Sequence, residues 1–258
     1  PIFLASYLFF HLFIGAWLAR EARAAGKIWW LYAFIVLFDF LVIVLTQGRG
    51  AFLAIIASAV LFSVSATIGG GKSAVRRGIF VAWVLGVLFF GIFWITRTNS
   101  FWQTVPILSR VVNEGFWSGN RLIAWRAGLQ VFADYPITGI GWENFYTGFN
   151  AHYNPRLLRS GFNETFFDRP HNIFIQYLAE TGIVGFVAYV FLLACAFYYA
   201  RRNIYFVALL LAYSVQNFFA FDSVSTYFMF FLVLAFIDRE QSASAESIPA
   251  SRVSWHSW

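Results

Sequence analysis

Residues 171–202 read HNIFIQYLAETGIVGFVAYVFLLACAFYYARR. From Phe174 to Ala200 this run holds a single charged side chain, Glu180, and it is closed by Arg201-Arg202. About 20 mostly apolar residues make a helix long enough to cross a bilayer, so the run predicts a membrane span. Comparable runs lie at 1–19, 28–46, 50–68, 79–96, 203–219 and 224–237, each bounded by charges or Gly. No period-2 alternation of the kind a membrane β-barrel needs is sustained. The sequence therefore predicts an all-α, polytopic membrane helix bundle.

Composition agrees. Charged residues make up 12% of the chain and hydrophobic residues 60%, whereas a soluble domain carries about 25% charged residues. Too few charges are present to cover a water-facing surface, so lipid faces much of the protein. The net charge of +6 is then a question of where the charges sit, and nucleic acid is not an expected partner. Cys195 is the only cysteine, so no intramolecular disulfide can form, and in its apolar run it reads as a small buried hydrophobe. The chain opens at Pro1 in the middle of an apolar run, without an initiator Met, a basic n-region or a cleavage site. The expectation is that part of a longer protein precedes it.

Sidedness follows from the short loops. Arg20, Arg23 and Lys27, then Lys72, Arg76 and Arg77, then Arg201 and Arg202 fall in alternate connections, which places these on the cytoplasmic side. The connections at 46–49, 97–173 and 220–223 then face outward. The predicted organisation is four spans over 1–96, a large extracytoplasmic loop over 97–173, three spans over 174–237, and a mobile cytoplasmic tail over 238–258. The loop is no linker, since it carries Trp102, Trp117, Trp125 and Trp142. Leu122, Trp125, Leu129 and Phe132 recur at helical spacing and predict a helix over 120–134, capped by Asn120 or Ser118 and ended by Tyr135-Pro136. A loop of this length is expected to hold a site or a lid.

Several residues can carry chemistry. Arg49 sits in the tight break Thr46-Gln47-Gly48-Arg49-Gly50 between two apolar runs. An Arg there either snorkels to lipid phosphate or clamps a ligand phosphate, which its planar fork matches. Arg121 and Arg126 lie on the loop helix, and either a solvated helix face or a ligand contact accounts for one of them. The loop holds seven Arg and no Lys against five acidic residues, a pattern that leans toward planar anion recognition. His171 sits where the loop meets the next span, and histidine is suited to proton transfer near neutral pH, although a lone His is more often structural. Gly69-Gly70-Gly71-Lys72-Ser73 resembles a P-loop end, but Ala66 stands where its first Gly belongs and no strand precedes it. The four His are scattered without a His-x-x-x-His pair and there is no cysteine pair, so a His- or Cys-held metal is poorly supported while a carboxylate-held one stays open, and no cofactor is expected. Asn163-Glu164-Thr165 is a formal glycosylation sequon, and Asp39 is an intramembrane carboxylate with no role assigned.

Three separated motifs together resemble one family. His171-Asn172, nine residues, then Gly182-Ile183-Val184-Gly185 is similar to the His-Asn-x9-Gly-x-x-Gly signature of bacterial O-antigen ligases. Arg49-Gly50-Ala51-Phe52-Leu53 follows the Arg-x3-Leu pattern. Arg121 to Trp125, and Asp134 to Phe145, resemble the large periplasmic loop of the O-antigen ligase/polymerase superfamily. The resemblance covers roughly residues 30–235. Members generally have more spans than the seven counted here, which matches a C-terminal portion.

The resemblance implies a helical, GT-C-like glycosyltransferase of the bacterial cytoplasmic (inner) membrane. Its donor would be a glycan on undecaprenyl diphosphate, and its acceptor lipid A-core, another glycan or a protein hydroxyl. Transfer would occur on the outer face, without metal and with inversion at the sugar carbon. Arg49 and Arg121, with Arg126 as second choice to Arg121, would hold the diphosphate, and His171 would orient or deprotonate the acceptor. The alternatives in the same superfamily are a polysaccharide polymerase and a protein O-oligosaccharyltransferase. Outside enzymes, the alternatives are a polysaccharide-binding or transport protein of the membrane.

Overall fold

A computed structural model describes residues 2–69, 73–104, 119–160 and 165–246. Lys72, Arg110, Glu114, Trp117, Ser118, the sequon at Asn163-Glu164, His256 and the Gly70–Lys72 part of the P-loop-like segment lie outside the described residues. The described residues are helical and contain no strand. In chain order the elements are α1 (Ile2–Ala24), α2 (Trp30–Leu45), α3 (Arg49–Ile68), α4 (Ser73–Thr96), α5 (Ser100–Thr104), α6 (Gly119–Asp134), α7 (Phe145–Ala151), a 3-10 turn (Pro155–Ser160), α8 (Ile173–Ala200), α9 (Ile204–Asn217) and α10 (Val224–Glu246).

Among the described residues, four helices are long and apolar enough to cross a membrane: α1, α3, the Arg76–Thr96 part of α4, and α8. The other three predicted spans are helical but differ in kind. Helix α2 has 16 residues and α9 has 14, so at about 1.5 Å per residue both fall short of a hydrocarbon core about 30 Å thick. Helix α10 runs on past the predicted end at 237 to Glu246. The start of the expected mobile tail is thus helical, because Ala and Glu here are good helix formers. Arg76 and Arg77 belong to α4, and Arg20 and Arg23 to the last turns of α1, rather than to the loops between spans.

The main core is built by α1, α2, α3, α8, α9 and α10. Apolar burial gains little when the alternative solvent is lipid, so close packing through small residues matters more. The α3–α9 interface shows this. Gly50, Ala51, Ala54 and Ser58 are buried at helical spacing along α3, Ala208 and Ala212 are buried on α9, and the Ser58 hydroxyl reaches the Ala208 carbonyl at 3.3 Å. Helix α4 stays outside this core. It touches α3, where the Trp83 indole N–H donates to the Ser63 hydroxyl at 3.0 Å. Cys195 is half-buried rather than enclosed.

A second, smaller core lies under the polar region. Ala124, Ala127, Val131, Phe145, Phe149, Leu157 and Phe167 enclose it together with Ala179 of α8. The helix expected at 120–134 is present, and its small residues form the buried face. Leu122 and Leu129 are exposed, while Ala124, Ala127 and Val131 are almost fully enclosed. The cause is a close approach: a Cβ on Gly128 would lie 2.5 Å from Ile175 of α8. Small side chains let α6 lie against α8, and the large ones turn outward. Asn120 falls inside α6 and is buried.

Backbone pairing docks the segment after α6 onto α8. Ile140 N–H donates to Ala179 O at 3.0 Å and Gly141 N–H to Glu180 O at 2.9 Å, while Ile183 N–H donates to Pro136 O at 2.8 Å. Gly182 breaks the helical backbone of α8 with φ +64° and ψ −164°, which frees the N–H groups that pair. A Cβ on Gly182 would lie 2.3 Å from Ile137 O, and one on Gly139 (φ +69°) would lie 2.3 Å from the Glu180 backbone. Two of the sequence motifs are therefore the two sides of one joint.

Candidate functional site

Helix α2 ends in a tight turn. Thr46 donates its hydroxyl back to Ile43 O at 2.6 Å, Gln47 takes the left-handed φ of +54°, and extended Gly48 opens α3 with no side-chain cap. Arg49 is the first residue of α3. Amide N–H groups in an α-helix's first turn lack intrahelical partners, and the helix dipole adds positive potential there. Gly50 sets this helix end against α9, since a Cβ there would meet Gln216 Oε1 at 2.8 Å and Phe219 at 3.2 Å.

A cavity of about 260 Å³ opens at this point, lined by Ile2, Thr46, Gln47, Gly48, Arg49, Gly50, Arg121, Gln216 and Phe219. Arg49 and Arg121 meet in it. Arg121 comes from α6, and its guanidinium donates to Phe219 O at 3.3 Å. Gln216 is 2% exposed, and its Oε1 is buried without a hydrogen-bond partner. Arg126 is elsewhere. It lines a larger cavity of about 450 Å³ with Gln130, His152 and Arg156.

His171 stands just before α8, with φ +55°. The next residue explains its placement. Asn172 caps α8, its Oδ1 accepting from Phe174 N–H at 3.0 Å and Ile175 N–H at 3.1 Å. The imidazole Nδ1 lies 3.1 Å from Arg169 O. A carbonyl only accepts, so Nδ1 carries the proton in the neutral ring and Nε2 is the proton-accepting nitrogen. The ring is held edge-on between Phe167 and Phe221, at 5.6 and 5.1 Å between centroids.

The turn between α9 and α10 joins the two places. Phe219 lines the arginine cavity, and Phe221, two residues on, packs on His171 and on Phe3 of α1. Arg169 stacks over Phe221 with its guanidinium carbon 4.8 Å from the ring centroid, and its Nη2 lies 2.6 Å from each Glu143 oxygen. The Glu143 N–H donates to Glu180 Oε2 at 3.1 Å. Asp222 is buried in the same turn, accepting from Tyr213 Oη at 2.5 Å and Asn217 Nδ2 at 3.1 Å. Burial pushes its carboxyl above the usual carboxylate range, against the opposing pull of Tyr213, Asn217, Thr226 and Arg169.

Sequence reasoning missed Gln216, Glu180 and Asp222, and counted Glu143 and Arg169 only toward loop charge. The signal for two of them was present. Glu180 interrupts an apolar run and Asp222 sits between two, and a carboxylate at membrane depth marks a functional or structural network.

The beginning of α1, the end of α2, the beginnings of α3, α8 and α10, and the end of α9 thus meet at one end of the bundle. At the opposite end, Asn203 before α9 donates to Glu240 of α10 at 3.1 Å, and Gln241 donates to Tyr199 O near the end of α8 at 2.8 Å.

The family model Wzy_C, described as O-antigen ligase, matches residues 32–190. No curated protein matches the chain. The matched range holds Arg49, Arg121, Arg126 and His171, and it stops inside α8, short of Gln216, Phe219 and Asp222. The range covers more than half of the 258 residues, and the chain belongs to this O-antigen ligase family, whose members are glycosyltransferase-type enzymes of ligase- or polymerase-like function in polysaccharide biosynthesis.

Proposed function

We propose that the protein is a GT-C-like O-antigen ligase. It moves a glycan from undecaprenyl diphosphate to an acceptor hydroxyl, with lipid A-core the first choice of acceptor. The reading rests on one observation: Arg49 and Arg121, distant in sequence, line one cavity at the N-terminus of α3. Helix N-termini and guanidiniums both favour phosphate, and the unpartnered Gln216 oxygen supplies an acceptor for a ligand hydroxyl.

In this reading the acceptor oxygen attacks the anomeric carbon as the bond from that carbon to the diphosphate breaks. Negative charge develops on the departing undecaprenyl diphosphate, and Arg49, Arg121 and the α3 amides stabilise it. Nε2 of His171 takes the acceptor proton. Attack from the face opposite the leaving group inverts the sugar carbon. The energy comes from the diphosphate linkage, so no nucleotide is needed outside the cell. The polar region 97–173 and the cavity end of the bundle lie on the periplasmic side of the inner membrane, and the short loops rich in Arg lie on the cytoplasmic side. The two guanidiniums supply the charge neutralisation, without a metal.

The test uses the full-length protein in membranes with undecaprenyl-diphosphate-linked glycan, chelator, and three acceptors in separate arms: lipid A-core, a free glycan chain and a protein. Wild type is expected to transfer to lipid A-core in chelator. Loss of a donor to a developing anion costs about 10²–10³-fold in rate, and Arg49→Ala, Arg121→Ala and His171→Ala are each expected to fall by at least the lower figure. Transfer to a glycan chain alone would make it a polymerase. Undiminished transfer in the Arg49→Ala and Arg121→Ala variants would overturn the site.

A further inference from the structure

Helix α6 carries guanidiniums toward two different cavities. Arg121 and Arg126 are five positions apart, about 140° around a helix that turns about 100° per residue. Arg121 lines the cavity at the start of α3, and Arg126 lines the one of about 450 Å³. The second cavity is walled by Arg126 and Gln130 of α6, by His152, Tyr153 and Asn154, and by Arg156 of the 3-10 turn.

The wall is built rather than incidental. Tyr153 packs edge-on against buried Phe149 at 5.9 Å and seals the smaller core. Asn154 Oδ1 accepts from Arg156 N–H at 3.0 Å and fixes the turn that presents Arg156. His152 Nε2 lies 2.6 Å from Asp134 Oδ2, which orients its ring. Asp134 does not line the cavity, and no other described carboxylate does. Neither Arg126 nor Arg156 forms an ion pair with a described residue. Two guanidiniums without a counter-charge facing one concavity form an anion site, and their planar forks match carboxylate or phosphate oxygens. The volume falls within the roughly 300–1,000 Å³ of small-molecule sites, which is far more than a lone phosphate fills. Gln130 and Asn154 offer the paired donors and acceptors that sugar hydroxyls need.

We propose that this cavity is a second binding site, for an acidic saccharide, in which Arg126 and Arg156 grip a sugar-borne carboxylate or phosphate. The saccharide identity rests on reading the protein as a glycan transferase; the anionic character rests on the cavity itself. The site would hold part of the glycan away from the reacting centre, so it would select among glycans rather than take part in bond making.

The experiment measures binding, not transfer. Full-length protein in nanodiscs of uncharged-headgroup lipid is titrated with three oligosaccharides of equal length: one neutral, one containing glucuronate and one carrying a sugar phosphate. Wild type is expected to bind at least one acidic probe about tenfold more tightly than the neutral one, as hydrogen bonds to charged groups permit. Comparison of the two acidic probes tells carboxylate from phosphate. In Arg126→Gln/Arg156→Gln that preference is expected to vanish, while neutral-probe affinity and melting temperature match wild type. A wild type that binds all three alike, or a double variant that keeps the acidic preference, would overturn the proposal. A double variant that loses neutral and acidic binding together, or unfolds, is checked with Arg156→Lys. Restored acidic preference in Arg156→Lys supports the site, and its absence overturns it. Failure of transfer to any acceptor with the acidic preference intact would sink the transferase reading and leave the anion site standing.

Discussion

Nη2 of Arg169 lies 2.6 Å from both carboxylate oxygens of Glu143, while the same guanidinium stacks on Phe221. One side chain therefore links the segment after α6, the turn before α8 and the turn after α9. Glu143 is about half exposed, so the ion pair alone is worth only about 0.2–1 kcal/mol after screening by solvent. Its consequence lies in placement, because Arg169 O is the partner of His171 Nδ1. Arg169→Lys keeps the charge but loses the planar stack. The expected outcome is a melting temperature within a few degrees of wild type and a clear fall in kcat at little-changed donor KM. A fall in KM-dependent binding alone would show that Arg169 does not act through His171.

Replacing Arg49 or Arg121 by Lys separates geometry from charge. A lysine keeps the positive charge but cannot present two parallel N–H donors. Each charge-assisted hydrogen bond is worth about 1.5–3 kcal/mol, so each variant is expected to lose about 10- to 100-fold in transfer rate. Single-turnover kinetics with saturating donor provide the measurement. Full activity in both lysine variants would mean that only field, and not bidentate contact, is used.

The joint between Ile137 and Gly182 gives a stability test. Gly182→Ala puts a Cβ 2.3 Å from a carbonyl oxygen and keeps a left-handed φ. Left-handed strain costs about 1–3 kcal/mol and overpacking about 1–3 kcal/mol more. Thermal unfolding in detergent is expected to show a large drop, with the same change at Gly78, where a Cβ meets nothing within 4 Å, nearly neutral. Equal melting temperatures for the two variants would mean that the docked joint contributes nothing to folding.

Asn172 tests the helix cap without touching the histidine itself. Its Oδ1 takes two orphan N–H groups of α8, and loss of such a cap costs about 0.5–2 kcal/mol. Asn172→Ala is expected to destabilise by that amount, and Asn172→Asp to restore much of it, in denaturant or thermal titrations. Identical stability of all three proteins would assign Asn172 another role.

These tests divide along the line between what was and was not legible in the sequence. Helix positions followed from long apolar runs, and the tight break before Arg49 from Thr46-Gln47-Gly48. Arg49, Arg121 and His171 stood out because each is polar beside an apolar run or a motif. The buried face of α6 was not legible, because close approach to α8 selects Ala and Gly rather than the large apolar residues whose spacing marks the helix. Gln216 was missed because its place in the arginine cavity comes from the packing of α9 against the start of α3, and side-chain convergence across a bundle leaves no local periodic signal. The choice between Arg121 and Arg126 turned on helix rotation relative to α3, which spacing alone does not fix.

Asp222 carries the pH dependence. An unfolded aspartate has its usual pKa of 3.8, and burial raises it in the folded protein. The folded state then holds its proton more tightly than the unfolded state. The associated stability is fully present below the unfolded pKa, and it is lost as pH rises through the folded one. Above that point the fold bears a buried carboxylate, partly offset by Tyr213, Asn217, Thr226 and Arg169. Asp222→Asn keeps the shape, has no proton to lose, and leaves Tyr213 a hydrogen-bond partner. The melting temperature of wild type relative to Asp222→Asn is therefore expected to fall as pH rises from about 4 to about 7. A difference that stays flat, or one that grows in favour of wild type, would show that Asp222 is ionised in the fold throughout this range and that its hydrogen bonds outweigh its burial.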